Sequence, residues 1–228
     1  MIVDSPTTSD VRVHTSVLDV PVELLPRRRP TQERSQQKFD AMLSVSRQLL
    51  TEVGFEAFTC EEVASRAQVP IGSLYRYFAN KYVIVSELNR QDLAAVGEKL
   101  KEFNGEVPSI EWLQFMNTFV DHLSEFWVND RSRKEVWMAM ESTPSTRLTG
   151  QIHQNEFAAI VAGMIRPLVP RTPEAKRMLM AQVLVKSVFA ILNFSIQDGQ
   201  DQQAAVTELK RLMKAYLLVI ETDSRAEF

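Results

Sequence analysis

The sequence predicts an all-α protein, and three observations support that fold class. Only 7 of the 228 residues are glycine, few for a chain that turns repeatedly between strands. Apolar residues recur at helical spacing along most of the chain, without strand-like alternation. Helix-capping residues and prolines fall between these apolar segments. We therefore expect helices joined by short turns, with enough apolar residues for a sizeable core.

The composition is that of a soluble globular protein and argues against several functional classes. Hydrophobic residues make up 45% of the chain and charged residues 24%. The lone Cys60 cannot form a disulfide within the chain, and the three histidines lack metal-ligand spacing. No apolar run reaches the roughly 18 residues of a membrane span, and residues 1–10 do not resemble a secretion signal. The sequence predicts a cytoplasmic protein that uses no cofactor, metal or membrane.

The first 30 residues differ from the rest of the chain. They contain four prolines, show no helical period and end in the basic run Arg27-Arg28-Arg29. We expect a flexible N-terminal extension at 1–30, although the apolar content of 11–25 also allows a docked, extended segment. Residues 27–82 carry nine basic and six acidic side chains, a net charge of +3, whereas the whole chain carries −3. Such a local positive charge suits contact with a polyanion.

Residues 31–82 predict three helices and the start of a fourth. Gly54 is expected to end the first helix. Thr59 is placed to cap the second, with a glutamate three residues later as in a capping box. Pro70 is placed to open the third, expected to reach about residue 78, and Asn80 to cap the fourth. The predicted buried face of the first helix holds Phe39, Met42, Leu43, Leu49, Leu50 and Val53.

Residues 59–81 carry the strongest functional signal. They read TCEEVASRAQVPIGSLYRYFANK, two short helices joined by a tight turn at Gln68-Val69. Two such helices packed on the first helix form a helix-turn-helix. Small residues at the start of the second would let the backbone approach DNA, and its longer polar side chains can reach phosphates or base edges. The predicted DNA-contacting residues here are Gly72, Ser73, Tyr75, Arg76, Tyr77 and Lys81.

Residues 33–90 resemble the TetR family of transcriptional regulators. The shared features are a helix ending in Gly-Phe, then Thr-x-x-Glu-Val-Ala, a short turn, Gly-Ser-Leu-Tyr-Arg-Tyr-Phe and a lysine. The resemblance implies that the Leu-Tyr-x-x-Phe helix lies in the major groove and that Thr59 and Lys81 contact phosphates. Its groove-facing positions would be Ser73, Tyr75, Arg76 and Tyr77. The DNA-binding domain is expected at 31–80.

Two positions depart from the family's pattern, and a basic run precedes it. Gln68 stands where glycine is usual. A left-handed backbone there would cost a non-glycine residue roughly 1–2 kcal/mol; the alternative is a turn that differs slightly from the family's. Pro70 replaces the usual hydroxyl-bearing cap, which removes one capping hydrogen bond. Arg27, Arg28 and Arg29 are interpreted as an arm along the DNA backbone or in the minor groove; the alternative is a solvated charge run.

Residues 81–228 predict a ligand-binding and dimerisation domain. Helices are expected at about 109–128, 130–143, 148–168, 174–197 and 204–220, with a break at Pro144. Aromatic and methionine side chains at helical spacing are typical of a core, but they also line cavities for apolar or aromatic ligands. The resemblance to ligand-responsive regulators favours a cavity. Its candidate residues are Trp112, Met116, Asn117, Phe119, Asp121, Trp137, Met140, Phe189 and Asn193.

The last two helices predict a homodimer. Two such helices from each subunit can form a four-helix bundle. This bundle would hold the two recognition helices, the second helix of each subunit's helix-turn-helix, about one DNA turn apart. The candidate interface residues are Leu209, Leu212, Met213, Tyr216 and Leu217.

The resulting hypothesis is a ligand-responsive transcriptional repressor. It would bind a palindromic, double-stranded operator as a homodimer and be released by a small apolar or aromatic effector. The alternatives are a ligand-independent or activating regulator, an all-α enzyme, and an interaction module that has lost DNA binding. The sequence contains no nucleophile–base pair, phosphate-binding glycine loop or metal motif, which disfavours the enzyme. Salt bridges that sequester Arg76 and Lys81 would favour the interaction module.

Overall fold

The computed structural model describes residues 24–104, 112–128, 130–197 and 199–226. Within these ranges all regular structure is helical, which confirms the predicted fold class. Residues 1–23 of the predicted flexible extension lie outside the described residues. The helices are α1 (Glu33–Ala57), α2 (Cys60–Arg66), α3 (Ile71–Tyr75), α4 (Lys81–Asn104), α5 (Trp112–Val128), α6 (Arg131–Glu141), α7 (Pro144–Met164), α8 (Glu174–Ser195) and α9 (Gln202–Ala226).

The first three helices and the start of α4 share one hydrophobic core. Phe39 of α1 stacks on Phe78, with ring centroids 4.8 Å apart, and Leu50 and Leu74 are fully buried beside them. Val53 was expected in this core, but it is 42% exposed. It lies in the turn before Gly54, whose φ of 70° interrupts the helix, so the core does not cover it.

Helix α6 joins the two halves of the molecule. It contacts both α1 and α4, and its residues Val136, Ala139 and Met140 are buried in the core of the N-terminal unit. Its Trp137 belongs instead to the second core, which α5, α7, α8 and α9 form together with the later part of α4. A displacement of α6 would therefore disturb both cores.

Three predicted helix boundaries need correction. Helix α7 begins at Pro144 rather than near residue 148, and the Thr143 hydroxyl caps it by accepting from the Thr146 N–H at 3.2 Å. Proline is favourable there because the first helical N–H has no partner within the helix. Helix α3 ends at Tyr75 rather than near residue 78, and α9 continues to Ala226.

Helix α8 is largely apolar after its first turn, apart from Gln182, Lys186 and Asn193, and it packs against α7 and α9. Among the described residues it is the one helix long and apolar enough to cross a membrane, and 39% of its most apolar window is buried in the protein. A core helix meets the same criteria, so this feature is weak support for a membrane span.

Candidate nucleic-acid interface and ligand cavity

The turn between α2 and α3 places Gln68 in the left-handed region. Its φ is 53°, the only positive value at a non-glycine residue in the described part of the chain. The Gln68 N–H donates to the Ser65 carbonyl at 3.1 Å, and the Val69 N–H donates to the Ala64 carbonyl at 3.0 Å. This pair of bonds is the Schellman motif, in which glycine is preferred at the position that Gln68 occupies. The turn therefore keeps the geometry that the family's usual glycine would adopt.

Both helices of the helix-turn-helix begin as the sequence predicts. The Thr59 hydroxyl accepts from the Glu62 N–H at 3.2 Å, which caps α2. Pro70 precedes α3 and makes no side-chain capping bond, while its carbonyl accepts from the Ser73 N–H at 2.8 Å. Thr59 and Pro70 are both exposed.

Helix α3 exposes Gly72 and leaves Ser73 and Tyr75 half-buried, and exposed Arg76 follows directly. The Arg76 guanidinium lies 5.4 Å from the centroid of the Tyr77 ring. It makes no hydrogen bond or ion pair with any residue in the described ranges. Because the guanidinium keeps all its donors, it is available for a phosphate or a base edge.

The Tyr75 hydroxyl is engaged within the protein. It donates to the Glu61 carboxylate at 2.9 Å. This hydrogen bond raises the pKa of Tyr75, and the Glu61 backbone N–H together with the Tyr75 hydroxyl lowers the pKa of Glu61. A tyrosine has one O–H to donate, so a contact from Tyr75 to a phosphate requires that this bond be exchanged.

Tyr77 does not face outward as the resemblance implies. It is 4% exposed, and its ring meets the Phe39 ring edge-on with centroids 5.5 Å apart. The backbone stays helical at Arg76, and Tyr77 follows the fully buried Leu74 by three residues, so its ring lies on the same, core-facing side. The predicted DNA contact at Tyr77 is corrected to a core position.

Lys81 holds the end of α1. Its Nζ donates to the carbonyls of Phe55 at 2.9 Å and Glu56 at 3.2 Å, and it lies 4.5 Å from the centroid of the Phe55 ring. These are backbone and ring contacts rather than a sequestering salt bridge. An ammonium group has three N–H donors, so one remains for a phosphate.

The described end of the N-terminal extension is docked on the helix-turn-helix, which corrects the expected flexibility for 24–30. Leu24 is buried, the Arg27 N–H donates to the Tyr77 carbonyl at 2.8 Å, and the Arg27 Nη1 donates to the Tyr75 carbonyl at 3.3 Å. Arg29 forms an ion pair with the buried Glu87 of α4 at 2.9 Å. The exposed Arg28 has no partner among the described residues, so it is the arginine of the run that is free to meet DNA.

An apolar cavity of about 100 Å³ lies between α5, α7, α8 and α9. Four predicted ligand residues line it: Trp112, Met116, Phe119 and Phe189. Met213 and Leu217, predicted at the dimer interface, line it as well. The candidate residues named from the sequence do not include its α7 wall, although the apolar spacing of that helix was the available signal. That wall includes Phe157, Val161, Met164 and Ile165.

The other predicted ligand residues lie elsewhere. Asn117 and Asp121 are exposed on α5, and Asp121 pairs with Lys210 of α9 at 2.5 Å. The Asn193 side-chain oxygen is buried without a hydrogen-bond partner, but the residue does not line the apolar cavity. Trp137 and Met140 line a separate, polar cavity. A polar residue on an otherwise apolar helix therefore did not indicate that its side chain reaches the apolar cavity.

The predicted dimer residues divide into two sets. Leu209, Met213 and Leu217 are buried within the protomer, and of these Met213 also lines a depression between the exposed sides of α8 and α9. Leu212 is 48% exposed and Tyr216 is half-buried. Together with neighbouring exposed residues of α8 and α9 they form an apolar face, defined here as Leu179, Val183, Leu212, Tyr216 and Val219.

A helix-turn-helix with a free arginine beside its second helix, joined to a helical unit with an apolar cavity, defines a DNA-binding regulator. Two family models agree: residues 42–88 match bacterial regulatory proteins of the tetR family, and residues 110–220 match the tetracyclin repressor-like C-terminal domain. The chain belongs to the TetR family of transcriptional regulators. It is therefore a regulator of transcription and not an enzyme.

Solved structures share this fold. A TetR-family regulator from Streptomyces coelicolor is 24% identical, with a TM-score of 0.57 over 80% of this chain and 99% of that one. A regulator from Rhodococcus sp. RHA1 is 18% identical, with a TM-score of 0.62 over 81% and 98%. NalD from Pseudomonas aeruginosa, described as the secondary repressor of the MexAB-OprM multidrug efflux pump, is 19% identical, with a TM-score of 0.57 over 81% and 97%. No curated protein matches the sequence.

Proposed function

We propose that this regulator is a cytoplasmic repressor that binds a palindromic operator as a homodimer and releases it when a small apolar or aromatic effector binds. In this proposal residues 31–80 bind DNA, and residues 81–228 hold the effector and the dimer contacts. The observation that carries it is Arg76, which follows α3 directly and has no hydrogen-bond or ion-pair partner among the described residues. The same chain contains an apolar cavity whose wall packs against α6.

We assign the DNA contacts to residues of the helix-turn-helix and the basic run that are accessible to DNA. Arg76 would reach a base edge or phosphate, and Gly72 and Ser73 would let the α3 backbone approach the DNA. Arg28 and Thr59 are also exposed, and both suit phosphates. Arg27 and Arg29 would support the interface indirectly, because both hold the arm against the helix-turn-helix.

The operator is first selected from random DNA duplexes, and its affinity is then measured by fluorescence anisotropy. Arg76→Ala should weaken binding by about tenfold to a hundredfold, the worth of one good arginine contact. Arg211→Ala is the matched control, because Arg211 is an exposed arginine of α9 that pairs only locally with Glu208. Equal affinities for the two variants would show that α3 does not read the operator.

A continuous set of contacts connects the apolar cavity to the DNA-binding unit. Phe189 in the cavity wall stacks on Trp137 of α6, with centroids 5.2 Å apart and rings 4° from parallel. One turn earlier on α6, Arg133 lies 3.5 Å from the buried Asp92 of α4. Asp92 also accepts from Arg47 of α1 at 2.6 Å. An effector that displaces Phe189 would therefore shift α6 against α1 and α4, and with them the spacing of the recognition helices.

A larger side chain in the apolar cavity tests whether the effector binds there. Val185 is buried and lines the cavity, and Val185→Phe would occupy much of its volume. A panel of apolar and aromatic compounds is screened for release of the wild-type protein from its operator. We expect Val185→Phe to bind the operator normally but to need much more of any active compound. An unchanged dose response would place the effector elsewhere.

A charge on the apolar face of α8 and α9 tests the dimer. Leu212→Glu should give a monomer by analytical ultracentrifugation, with unchanged helicity and weaker operator binding, because a buried unpaired carboxylate disfavours association. Lys214→Glu, at an exposed polar position of the same helix, should remain a dimer. A Leu212→Glu variant that still dimerises would exclude this face.

The second candidate is a ligand-independent or activating regulator. The cavity volume of about 100 Å³ favours it, since sites for drug-sized ligands are usually about 300–1,000 Å³. It predicts that no compound of the panel releases the operator. The interaction module is less favoured, because Arg76 forms no salt bridge with a described residue.

A further inference from the structure

A second cavity, of about 110 Å³, lies between α4, α6, α7 and α8. Unlike the apolar cavity, it is lined largely by polar and charged side chains. We propose that it binds a small organic carboxylate, with the indole N–H of Trp137 as a buried hydrogen-bond donor and with Arg147 and Lys186 as charge partners. This goes beyond the proposed function, which places an apolar effector in the other cavity.

Trp137 supplies the first observation. It is 8% exposed, and its Nε1 is buried with no hydrogen-bond partner among the described residues. Buried donors without partners are rare in native proteins because nothing replaces the water they lose on folding. An indole N–H can only donate, so the partner that completes it must be an acceptor. A carboxylate oxygen is the strongest acceptor of that kind among common organic groups.

The charges of the lining supply the second observation. Arg147 and Lys186 are exposed and form no ion pair with any residue in the described ranges. Glu141 is the one acidic residue of the lining, so two cations and one carboxylate give a net charge of +1. That charge suits a monoanion and disfavours a phosphate dianion, which Glu141 would repel.

The remaining lining residues of this cavity indicate which kind of group carries the carboxylate. Leu93, Met140 and the ring of Trp137 are apolar. Gly150 on α7 leaves room beside them, since an added Cβ would come only within 3.7 Å of the Met140 methyl carbon. The volume admits a compact ring or a short chain rather than a long one. Benzoate fits this description and serves as the probe.

The indole N–H resonances of the full chain report binding directly. The chain has three tryptophans, so a ¹H–¹⁵N spectrum contains at most three indole N–H signals, and Trp137→Phe identifies the Trp137 signal. Benzoate should move that signal downfield in a saturable way, as expected when the N–H gains a charged acceptor. Benzamide has the same shape without the charge and should bind about tenfold more weakly or less. An unmoved Trp137 signal, or equal affinity for benzamide and benzoate, would overturn the proposal.

Three variants separate this site from a cavity that holds only water. Lys186→Met and Arg147→Met should each weaken benzoate by about tenfold and leave benzamide unchanged. Gly150→Leu should abolish the shift by filling the cavity, while Gly150→Ala, whose Cβ has room, keeps the fold and the shift. Benzoate affinity that is unchanged in all three variants would refute the site. The measurement does not involve the operator, so its failure is distinct from a failure of the proposed repressor function.

Discussion

Replacing Gln68 with glycine should stabilise the protein. The Schellman turn holds this residue at a φ of 53°, where an L side chain costs about 1–2 kcal/mol. Glycine removes that cost but gains freedom in the unfolded chain, which offsets about 0.5–1 kcal/mol. The Gln68 side chain is exposed and makes no hydrogen bond with a described residue that would be lost. The free energy of unfolding should therefore rise by about 0.5–1 kcal/mol.

Urea unfolding followed by circular dichroism measures this gain. The protein concentration is held fixed, because dimerisation would otherwise change the apparent stability. The midpoint should rise while the slope of free energy against urea stays the same.

Gln68→Ala is the matched control, since it removes the same side chain but keeps the Cβ that causes the strain. Its free energy of unfolding should stay close to that of the wild type. A gain as large as that of Gln68→Gly would show that the side chain, and not the left-handed backbone, is responsible. A loss for Gln68→Gly would refute the account of the turn altogether.

Two further predictions concern groups whose pKa the fold shifts. Burial raises the pKa of Cys60 to about 11, so the folded protein should resist iodoacetamide near neutral pH and react fully once unfolded in urea; rapid alkylation of the folded protein would contradict this. Burial lowers the pKa of His153, so the folded state disfavours the charged ring that the unfolded chain accepts below about pH 6.5. His153 therefore contributes full stability above that pH and loses it as pH falls towards its lowered folded pKa. His153→Gln should flatten this part of the stability–pH curve, and a variant with the wild-type slope would show that other groups titrate there.

The features that were predicted correctly from sequence are local. The Thr59 cap joins atoms three residues apart, and the predicted turn at Gln68-Val69 is held by two bonds that span only residues 64–69. Pro70 likewise affects only the helix that it opens. Such features depend on neighbouring residues and backbone geometry, so the residue types alone indicate them. The family motif adds the order of these local features along the chain.

Predictions from short sequence patterns were wrong where they depended on the direction in which a side chain points. Helix α3 has five residues, too few for periodicity to define its buried face, and Tyr77, three residues after the buried Leu74, packs into the core. The sequence shows the apolar residues of α9, but in the structure they lie on two different sides of that helix. Leu209 and Leu217 face the protomer's own core, whereas Leu212 faces out.

By itself, the sequence determined the helical fold class, the helix-turn-helix and the family of this protein. These depend on periodicity, caps and turn chemistry within a few residues. The tertiary structure alone decided that the arm docks through Arg29 on Glu87 and that Phe189 stacks on Trp137. It also decided that a polar cavity brings Trp137 together with Arg147 and Lys186. Each of these joins residues far apart in the chain, and only the packing of whole helices brings such residues into contact.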